Sequence, residues 1–171
     1  IETGGFFPMI LVAMVFFLTG LGFKISMAPF HMWAPDVYEA APTPVTAFLT
    51  VAPKALGFAL IIRVLSTAFE PVQGQWQLLI CALSILTMTI GNLTAIAQSN
   101  IKRLLAYSSI AQAGYMLMGI TVFDKLGLHS VLLYVLVYAA TNLGAFMVVI
   151  MVSNHTGSDE LMAYRGLGQR S

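Results

Sequence analysis

Five long apolar stretches constrain this chain more than any other feature of its sequence. Each is about 20 residues or slightly longer, which is enough to cross a hydrocarbon core of about 30 Å as a helix. Lipid offers no partner for open backbone groups, and the stretches do not alternate apolar with polar residues, so we expect helices rather than a β-barrel. The stretches are Phe6–Ile25, Val45–Thr67, Trp76–Ala97, Leu104–Phe123 and His129–Val152.

The composition agrees with a chain that lies mostly in lipid. Apolar residues make up 58% of it and charged residues only 9%, whereas an ordinary soluble domain carries about 25% charged residues. The eight lysines and arginines do not cluster, which argues against a nucleic-acid partner and leaves the lipid bilayer as the main surroundings. We therefore predict an all-α, polytopic membrane helix bundle that forms a single domain.

The chain begins at Ile1 and ends in Gly-Gln-Arg-Ser, so we expect an internal part of a longer multi-pass protein. Short loops rich in Lys and Arg stay in the cytoplasm. With five spans, the more basic side is therefore predicted to be cytoplasmic. It carries the Pro-rich linker 27–44, the Lys102/Arg103 loop and a C-terminal tail with Arg165 and Arg170, against Arg63 and Lys125 on the other side.

Lys54 lies deep within the second apolar stretch. If that helix starts near Pro44, Lys54 is ten residues from its start, or about 15 Å deep, which is too far for its side chain to reach the interface. Inserting a charged lysine into the membrane at such a depth costs about 2.5–3.5 kcal/mol of free energy. Such a residue normally faces a hydrated cavity or a partner. We favour an ion or proton path over the alternative, a static ion pair within the bundle.

Lys24 is open to two interpretations from its surroundings. It ends the first apolar stretch, and Pro29 should break the helix close to it. If the segment after Pro29 is a surface loop, Lys24 reaches the interface and does nothing more. If the segment is a half-helix that continues across the membrane, Lys24 lies near the midplane, where broken helices of transporters commonly form ion sites.

Polar and small residues form stripes on the last three helices. The first interpretation is helix–helix packing, which we favour, and the second is the wall of a hydrated path. The stripes are Ser84, Thr87, Gly91, Thr94 and Gln98; Ser108, Gln112 and Tyr115; and Tyr134, Tyr138 and Asn142.

Other chemistry-bearing residues give weaker signals. The three histidines share no metal-ligand spacing, and the lone Cys81 reads as a small apolar residue, so we predict no metal site. His31 with Trp33 reads as an interfacial anchor. We expect Asp36 and Glu39 to be solvated or to cap the next helix. No Gly-rich phosphate loop, haem ligand set or nucleophile–base pair is found, so we predict no cofactor in this chain.

Several motifs in a fixed order resemble a known family. The resemblance is to the antiporter-like membrane subunits of respiratory complex I, the proton-translocating NADH:quinone oxidoreductase, and within them most of all to the N-subunit branch, the counterpart of mitochondrial subunit two. The motifs are G-F-K-I-S-M-A-P-F-H-M-W-A-P-D-V-Y-E-A-A-P-T-P-V-T-A-F-L from Gly22 to Leu49, V-A-P-K-A from Val51 to Ala55, S-N-I-K-R-L-L-A-Y-S-S-I-A-Q-A-G-Y from Ser99 to Tyr115, N-L-G-A-F from Asn142 to Phe146, and A-Y-R-G-L in the tail.

The resemblance implies an antiporter-type bundle of inverted helix repeats whose first helix here is discontinuous near Lys24 and Pro29. Lys24 then matches a lysine that pairs with a glutamate on an earlier helix, and Lys54 matches a lysine that relays protons. Many relatives carry a histidine where this chain has Gln112, which can order water but cannot titrate. The spans become about 6–40 (the broken helix), 44–67, 76–97, 104–123 and 129–153, with a polar tail at 154–171.

The function implied is that of a non-redox, proton-translocating subunit in a bacterial inner membrane. Lys24 and Lys54 would carry protons, and a charge change near one would alter the affinity of the other. NADH, FMN, iron–sulfur clusters and quinone would belong to the rest of the complex, and neighbouring antiporter-like and small membrane subunits would be the partners. The alternatives are a subunit of a cation/proton antiporter, a related ferredoxin- or hydrogenase-linked pump, and a structural scaffold. The residues expected to support the path are Ser108, Gln112, Tyr134, Tyr138 and Asn142.

Overall fold

The computed structural model describes residues 7–167, which fold into six α-helices and two short 3-10 turns. No β-strand occurs among these residues, so the predicted all-α bundle is confirmed. Phe6, the first residue of the first apolar stretch, and Arg170 of the tail lie outside the described residues. The helices are α1 Phe7–Ile25, α2 Trp33–Ala40, α3 Thr43–Thr67, α4 Gln73–Ile96, α5 Ile101–Val122 and α6 Lys125–Thr156, and the turns are Glu70–Val72 and Leu161–Tyr164.

Four segments are long and apolar enough to cross a membrane, whereas five spans were predicted. They are Pro8–Ile25, Thr43–Thr67, Glu70–Ile96 and Lys125–Thr156. Helix α5 has 22 residues and a comparable length, but its serines and its glutamine lower its hydropathy. It packs against α2, α3, α4 and α6, so protein rather than lipid covers much of it. A helix in that position tolerates polar residues that a lipid-facing helix does not.

The first span is broken in the middle of the bundle. Helix α1 ends at Ile25, four residues before Pro29. In a continuous helix the N–H of residue 29 would donate to the carbonyl oxygen of Ile25, but proline has no N–H and its ring clashes with that carbonyl group. Ser26 then takes a left-handed conformation with φ of 59°. The N–H of Ala28 donates to Thr87 Oγ1 at 3.1 Å, just past the midpoint of α4. The discontinuous helix is confirmed, and α2 is its second half.

The stripe of small residues on α4 is a packing surface. A Cβ atom at Gly91 would lie 2.5 Å from the backbone nitrogen of Ala111, so the two helices approach as closely as glycine allows. Ser84 Oγ donates to the carbonyl oxygen of Gly114 at 2.7 Å, and Thr87 is fully buried. For this stripe the geometry agrees with the packing interpretation.

One end of the bundle is held by a network of charged side chains. Arg103 Nη1 lies 2.7 Å from Asp36 Oδ1 and 2.8 Å from Glu39 Oε2, and Lys102 Nζ lies 3.1 Å from Asp159 Oδ2. The second half of the broken helix, the start of α5 and the tail after α6 thus share one end. Asp36 and Glu39 are therefore ion-pair partners of Arg103. The Asp36 side chain is also largely exposed to solvent, as predicted, whereas neither carboxylate caps the next helix.

Candidate functional site around Lys54

Lys54 is enclosed near the middle of α3. Only 1% of the residue is exposed, and it is among the largest fully buried side chains of the described residues. The helix Thr43–Thr67 carries Pro53 directly before it. The depth expected from the sequence is therefore correct, and a side chain of this length does not reach the membrane surface.

The lysine side chain crosses to α5 and ends on a single residue. Its Nζ donates to the carbonyl oxygen of Ser109 at 2.6 Å and to Ser109 Oγ at 2.9 Å. Ser109 Oγ in turn donates to the carbonyl oxygen of Ala106 at 2.8 Å. Within residues 7–167 no carboxylate forms an ion pair with Lys54. The ammonium is thus met by two neutral acceptors, which offset part of the cost of burying it.

One turn before Lys54, Thr50 joins α3 to α6. Asn142 Nδ2 donates to Thr50 Oγ1 at 2.5 Å, and the Tyr138 hydroxyl donates to the Thr50 carbonyl oxygen at 3.2 Å. Asn142 is 8% exposed and Tyr138 is 6% exposed. Buried polar groups that are all hydrogen-bonded hold their helices in a fixed register, so α6 is locked beside the lysine.

A polar groove runs along α5 and α6 from this cluster. The part nearest the Thr50 cluster, of about 150 Å³, is lined by Ser108, Gln112, Tyr138, Thr141 and Asn142 among others. Its continuation, of about 250 Å³, retains three of those residues and adds Tyr134. The Tyr134 hydroxyl donates to Gln112 Oε1. The structure therefore brings all five residues that were expected to support a path to one groove next to the Lys54 cluster.

Lys24 differs from Lys54 in its exposure. It lies in the last turn of α1, beside the break, but its side chain is exposed. The reason is that α1 packs mainly on α3, which leaves the face with Lys24 uncovered in the described part of the chain. Pro29 is also exposed. Within the described part of the chain, Lys54 is therefore buried and Lys24 is exposed.

His31 is not an interfacial anchor. It is 5% exposed, and its Nδ1 has no hydrogen-bond partner among the described residues. Trp33 is fixed by other contacts, because its Nε1 donates to the carbonyl oxygen of Phe23 at 3.0 Å and its ring stacks on the Phe23 ring. In the described part of the chain no three His, Cys, Asp or Glu residues are grouped as metal ligands.

Sequence reasoning missed two residues that contact the site directly. Thr50 lies four residues before Lys54 on the same helix, so helical spacing from Lys54 would have found it. Ser109 is adjacent to Ser108 and gave no signal of its own, because only the packing of α3 against α5 decides which of the two serines meets the lysine.

An apolar helix bundle with a broken first span and a lysine buried between helices indicates a polytopic membrane protein with a buried ionisable site. A family model described as "NADH:quinone oxidoreductase/Mrp antiporter, TM" matches residues 2–171. The chain therefore belongs to this family.

Relatives and solved structures agree with the family. The chain is 53% identical over 164 residues to NADH-quinone oxidoreductase subunit N of Desulforamulus reducens, covering 96% of this chain and 34% of the relative. A chain of respiratory complex I from Thermus thermophilus with bound aureothin is similar in structure, with 38% identity and a TM-score of 0.70. The match covers 90% of this chain and 33% of the complex I chain. A chain of the archaeal membrane-bound sulfane sulfur reductase is similar too, with 28% identity and a TM-score of 0.79. That match covers 88% of this chain and 31% of the reductase chain. The chain spans about a third of the length of these relatives.

Proposed function

We propose that this chain is the part of a proton-translocating membrane subunit of NADH:quinone oxidoreductase that holds a buried proton carrier, Lys54. The observation that carries the proposal is the environment of the amine. It is 1% exposed, and in the described part of the chain it meets the two oxygens of Ser109. An ammonium held by neutral acceptors, without a carboxylate, is poised to release its proton to water.

In this proposal the polar groove between α5 and α6 holds the water molecules that exchange protons with Lys54. Gln112, Tyr134 and Tyr138 each offer groups that order water but carry no charge at neutral pH. Protons then move between Lys54 and the groove past the Thr50 cluster, where Tyr138 and Asn142 belong to both. In this proposal Gln112 positions water and takes no proton itself.

Lys24 has a supporting role in the same proposal. It ends the first half of a broken helix on an uncovered face, so the partner carboxylate that the family resemblance implies is contributed by a part of the protein outside this chain. A change in the charge of Lys24 then alters how readily Lys54 holds its proton, through the low-dielectric interior between them.

The redox reaction takes place elsewhere in the complex. In this proposal the chain is a non-redox part of a translocase, and NADH, FMN, iron–sulfur clusters and quinone bind to other subunits. Neighbouring antiporter-like and small membrane subunits cover its outer faces. The protein lies in a bacterial inner membrane, with the Arg103 end of the bundle on the cytoplasmic side, as the basic residues there favour.

The test is the Lys54→Met variant in the intact complex, with Lys125→Met as the matched control. Methionine keeps an unbranched side chain of similar length and removes the charge. We expect Lys54→Met to lose proton pumping while Lys125→Met, at the exposed start of α6, pumps normally. Undiminished pumping by Lys54→Met in reconstituted vesicles would refute the role of Lys54.

The second candidate is a subunit of a cation/proton antiporter, because the description of the matching family covers both kinds of protein. Co-purification separates the two functions. Flavin and iron–sulfur partners with quinone reductase activity support the first, and an assembly without them supports the second. A ferredoxin- or hydrogenase-linked pump is distinguished by its electron donor. A static scaffold is excluded if Lys54→Met assembles fully but does not pump.

A further inference from the structure

Pro53 leaves a carbonyl group without its usual helical partner a little more than one turn before Lys54. In an α-helix the oxygen of residue 49 accepts from the N–H of residue 53, and proline has no N–H. Pro53 lies inside α3, a helix long and apolar enough to cross a membrane. In such a helix a carbonyl group that lacks its helical donor costs free energy unless another donor replaces it.

Tyr38 supplies that partner from the second half of the broken helix. Its hydroxyl donates to the Leu49 carbonyl oxygen at 3.3 Å, and the residue is 1% exposed. A buried tyrosine normally hydrogen-bonds through its hydroxyl, and here the acceptor is the group that Pro53 leaves free. The hydrogen bond thus joins α2 to α3 one turn before Lys54.

Further contacts fix Tyr38 and the helix that carries it. Thr46 Oγ1 donates to the Tyr38 carbonyl oxygen at 2.9 Å, and the Trp33 ring meets the Tyr38 ring edge-on at 5.9 Å. At the end of the bundle, Arg103 of α5 holds the two carboxylates of α2. Helix α2 is therefore bonded both to the helix that carries Lys54 and to the helix that carries its acceptor, Ser109.

We propose that Tyr38 is a positioning residue that couples the broken helix to Lys54 through the Leu49 carbonyl group. A displacement of α2, which follows the break next to Lys24, changes the bend of α3 at Pro53 and with it the distance from the amine to Ser109. The inference rests on the proposed function of Lys54. It adds a mechanical connection between the two lysine-bearing elements.

The test is a double-mutant cycle in the intact complex between Tyr38→Phe and Pro53→Ala. Tyr38→Phe keeps the ring and leaves the Leu49 carbonyl group unpaired, whereas Pro53→Ala restores an N–H that can pair with it. We expect the ratio of protons pumped to quinone reduced to fall in Tyr38→Phe, because losing a hydrogen bond of about 1 kcal/mol shifts the equilibrium between the correct and the displaced position of α3 by roughly fivefold. In the Pro53→Ala background, the same removal of the hydroxyl should change the ratio little.

A Thr67→Val variant is the control, because it removes a hydroxyl of α3 that only donates to the Arg63 carbonyl oxygen at 2.8 Å and touches neither α2 nor the Leu49 carbonyl group. It should leave the pumping ratio per assembled complex unchanged. The proposal is overturned if Tyr38→Phe pumps like the wild type, if Thr67→Val lowers the pumping ratio as much, or if Tyr38→Phe lowers the ratio equally in both backgrounds. Normal pumping by Lys54→Met would instead refute the proposed function, whatever Tyr38→Phe does.

Discussion

Replacing Ser109 with alanine removes one of the two oxygens that accept hydrogen bonds from Lys54. The hydroxyl lies 2.9 Å from Nζ, and the Ser109 carbonyl oxygen, at 2.6 Å, remains in place. The backbone of α5 is unaffected because alanine favours a helix as well as serine or better. The variant therefore changes the environment of the ammonium without changing the packing around it.

The size of the effect follows from the charge of the donor. A hydrogen bond to a charged group contributes about 1.5–3 kcal/mol, and about 1.4 kcal/mol corresponds to a factor of ten in an equilibrium constant. Loss of the hydroxyl should therefore weaken the binding of the ammonium at this position by roughly ten- to 150-fold. A water molecule that takes the vacated position would bring the effect to the lower end of that range.

The assay is proton pumping by the purified complex in vesicles, measured together with quinone reductase activity. We expect the pumping rate of Ser109→Ala to fall about tenfold or more, while Ser109→Thr retains the hydroxyl and most of the rate. Ser130→Ala is the matched control, because Ser130 is exposed on α6 and its hydroxyl only donates to the Leu126 carbonyl oxygen at 2.8 Å. It should pump normally.

Two results would refute this reasoning. If Ser109→Ala pumps at the wild-type rate, the hydroxyl does not stabilise the ammonium in the working protein. If Ser109→Thr is as impaired as Ser109→Ala, the effect comes from the shape of the side chain and not from its oxygen.

Further predictions concern the packing and the charged end of the bundle. Gly91→Ala should lower the stability measured by thermal unfolding by about 1–3 kcal/mol, because the added methyl group overlaps the backbone of α5. Gly74→Ala is the control, because nothing lies within 4 Å of its added Cβ, and it should be neutral or stabilising. Equal effects of the two substitutions would contradict the close approach of α4 and α5. At Asp159, burial opposes ionisation, but hydrogen bonds from Ser153 and Lys102 outweigh it and hold the pKa of the carboxyl below its ordinary value of 3.8. The ionised form therefore stabilises the fold above about pH 4, and this contribution is lost as the pH falls through the lower folded-state pKa. Asp159→Asn should lower the free energy of unfolding by about 0.5–1 kcal/mol at pH 7 and leave it unchanged at a pH where the wild-type carboxyl is protonated. A loss of stability that does not depend on pH in thermal unfolding would contradict the stabilising role of the ionised Asp159.

The sequence predicted the bundle and much of the site through features that are local. Apolar runs of membrane length require helices whatever their neighbours are. Pro29 ends a helix by its own covalent structure, although only the family resemblance turned the segment after it into a half-helix. The depth of Lys54 follows from counting residues along one helix, and the burial of Lys54 is found in the structure.

Other features depended on which helix lies next to which. The stripe on α4 and the stripes on α5 and α6 look alike in sequence, yet the first packs tightly and the others line a groove. The ion pairs of Arg103 join residues that are more than sixty positions apart, and no periodicity along the chain relates them. Lys24 is exposed because one face of α1 has no neighbour in the described residues, which the composition of α1 does not reveal.

The sequence by itself therefore determined that this protein is a helical membrane bundle with a break at Pro29 and a lysine too deep to reach the interface. Those properties arise from the hydrophobic length of each helix, the geometry of proline and the cost of burying a charge, all of which act within one segment. Only the tertiary structure decided that Ser109 receives Lys54, that Thr50 ties α3 to α6, and that Tyr38 meets the carbonyl group freed by Pro53. Such contacts depend on the rotation and register of one helix against another, which packing of the whole bundle sets.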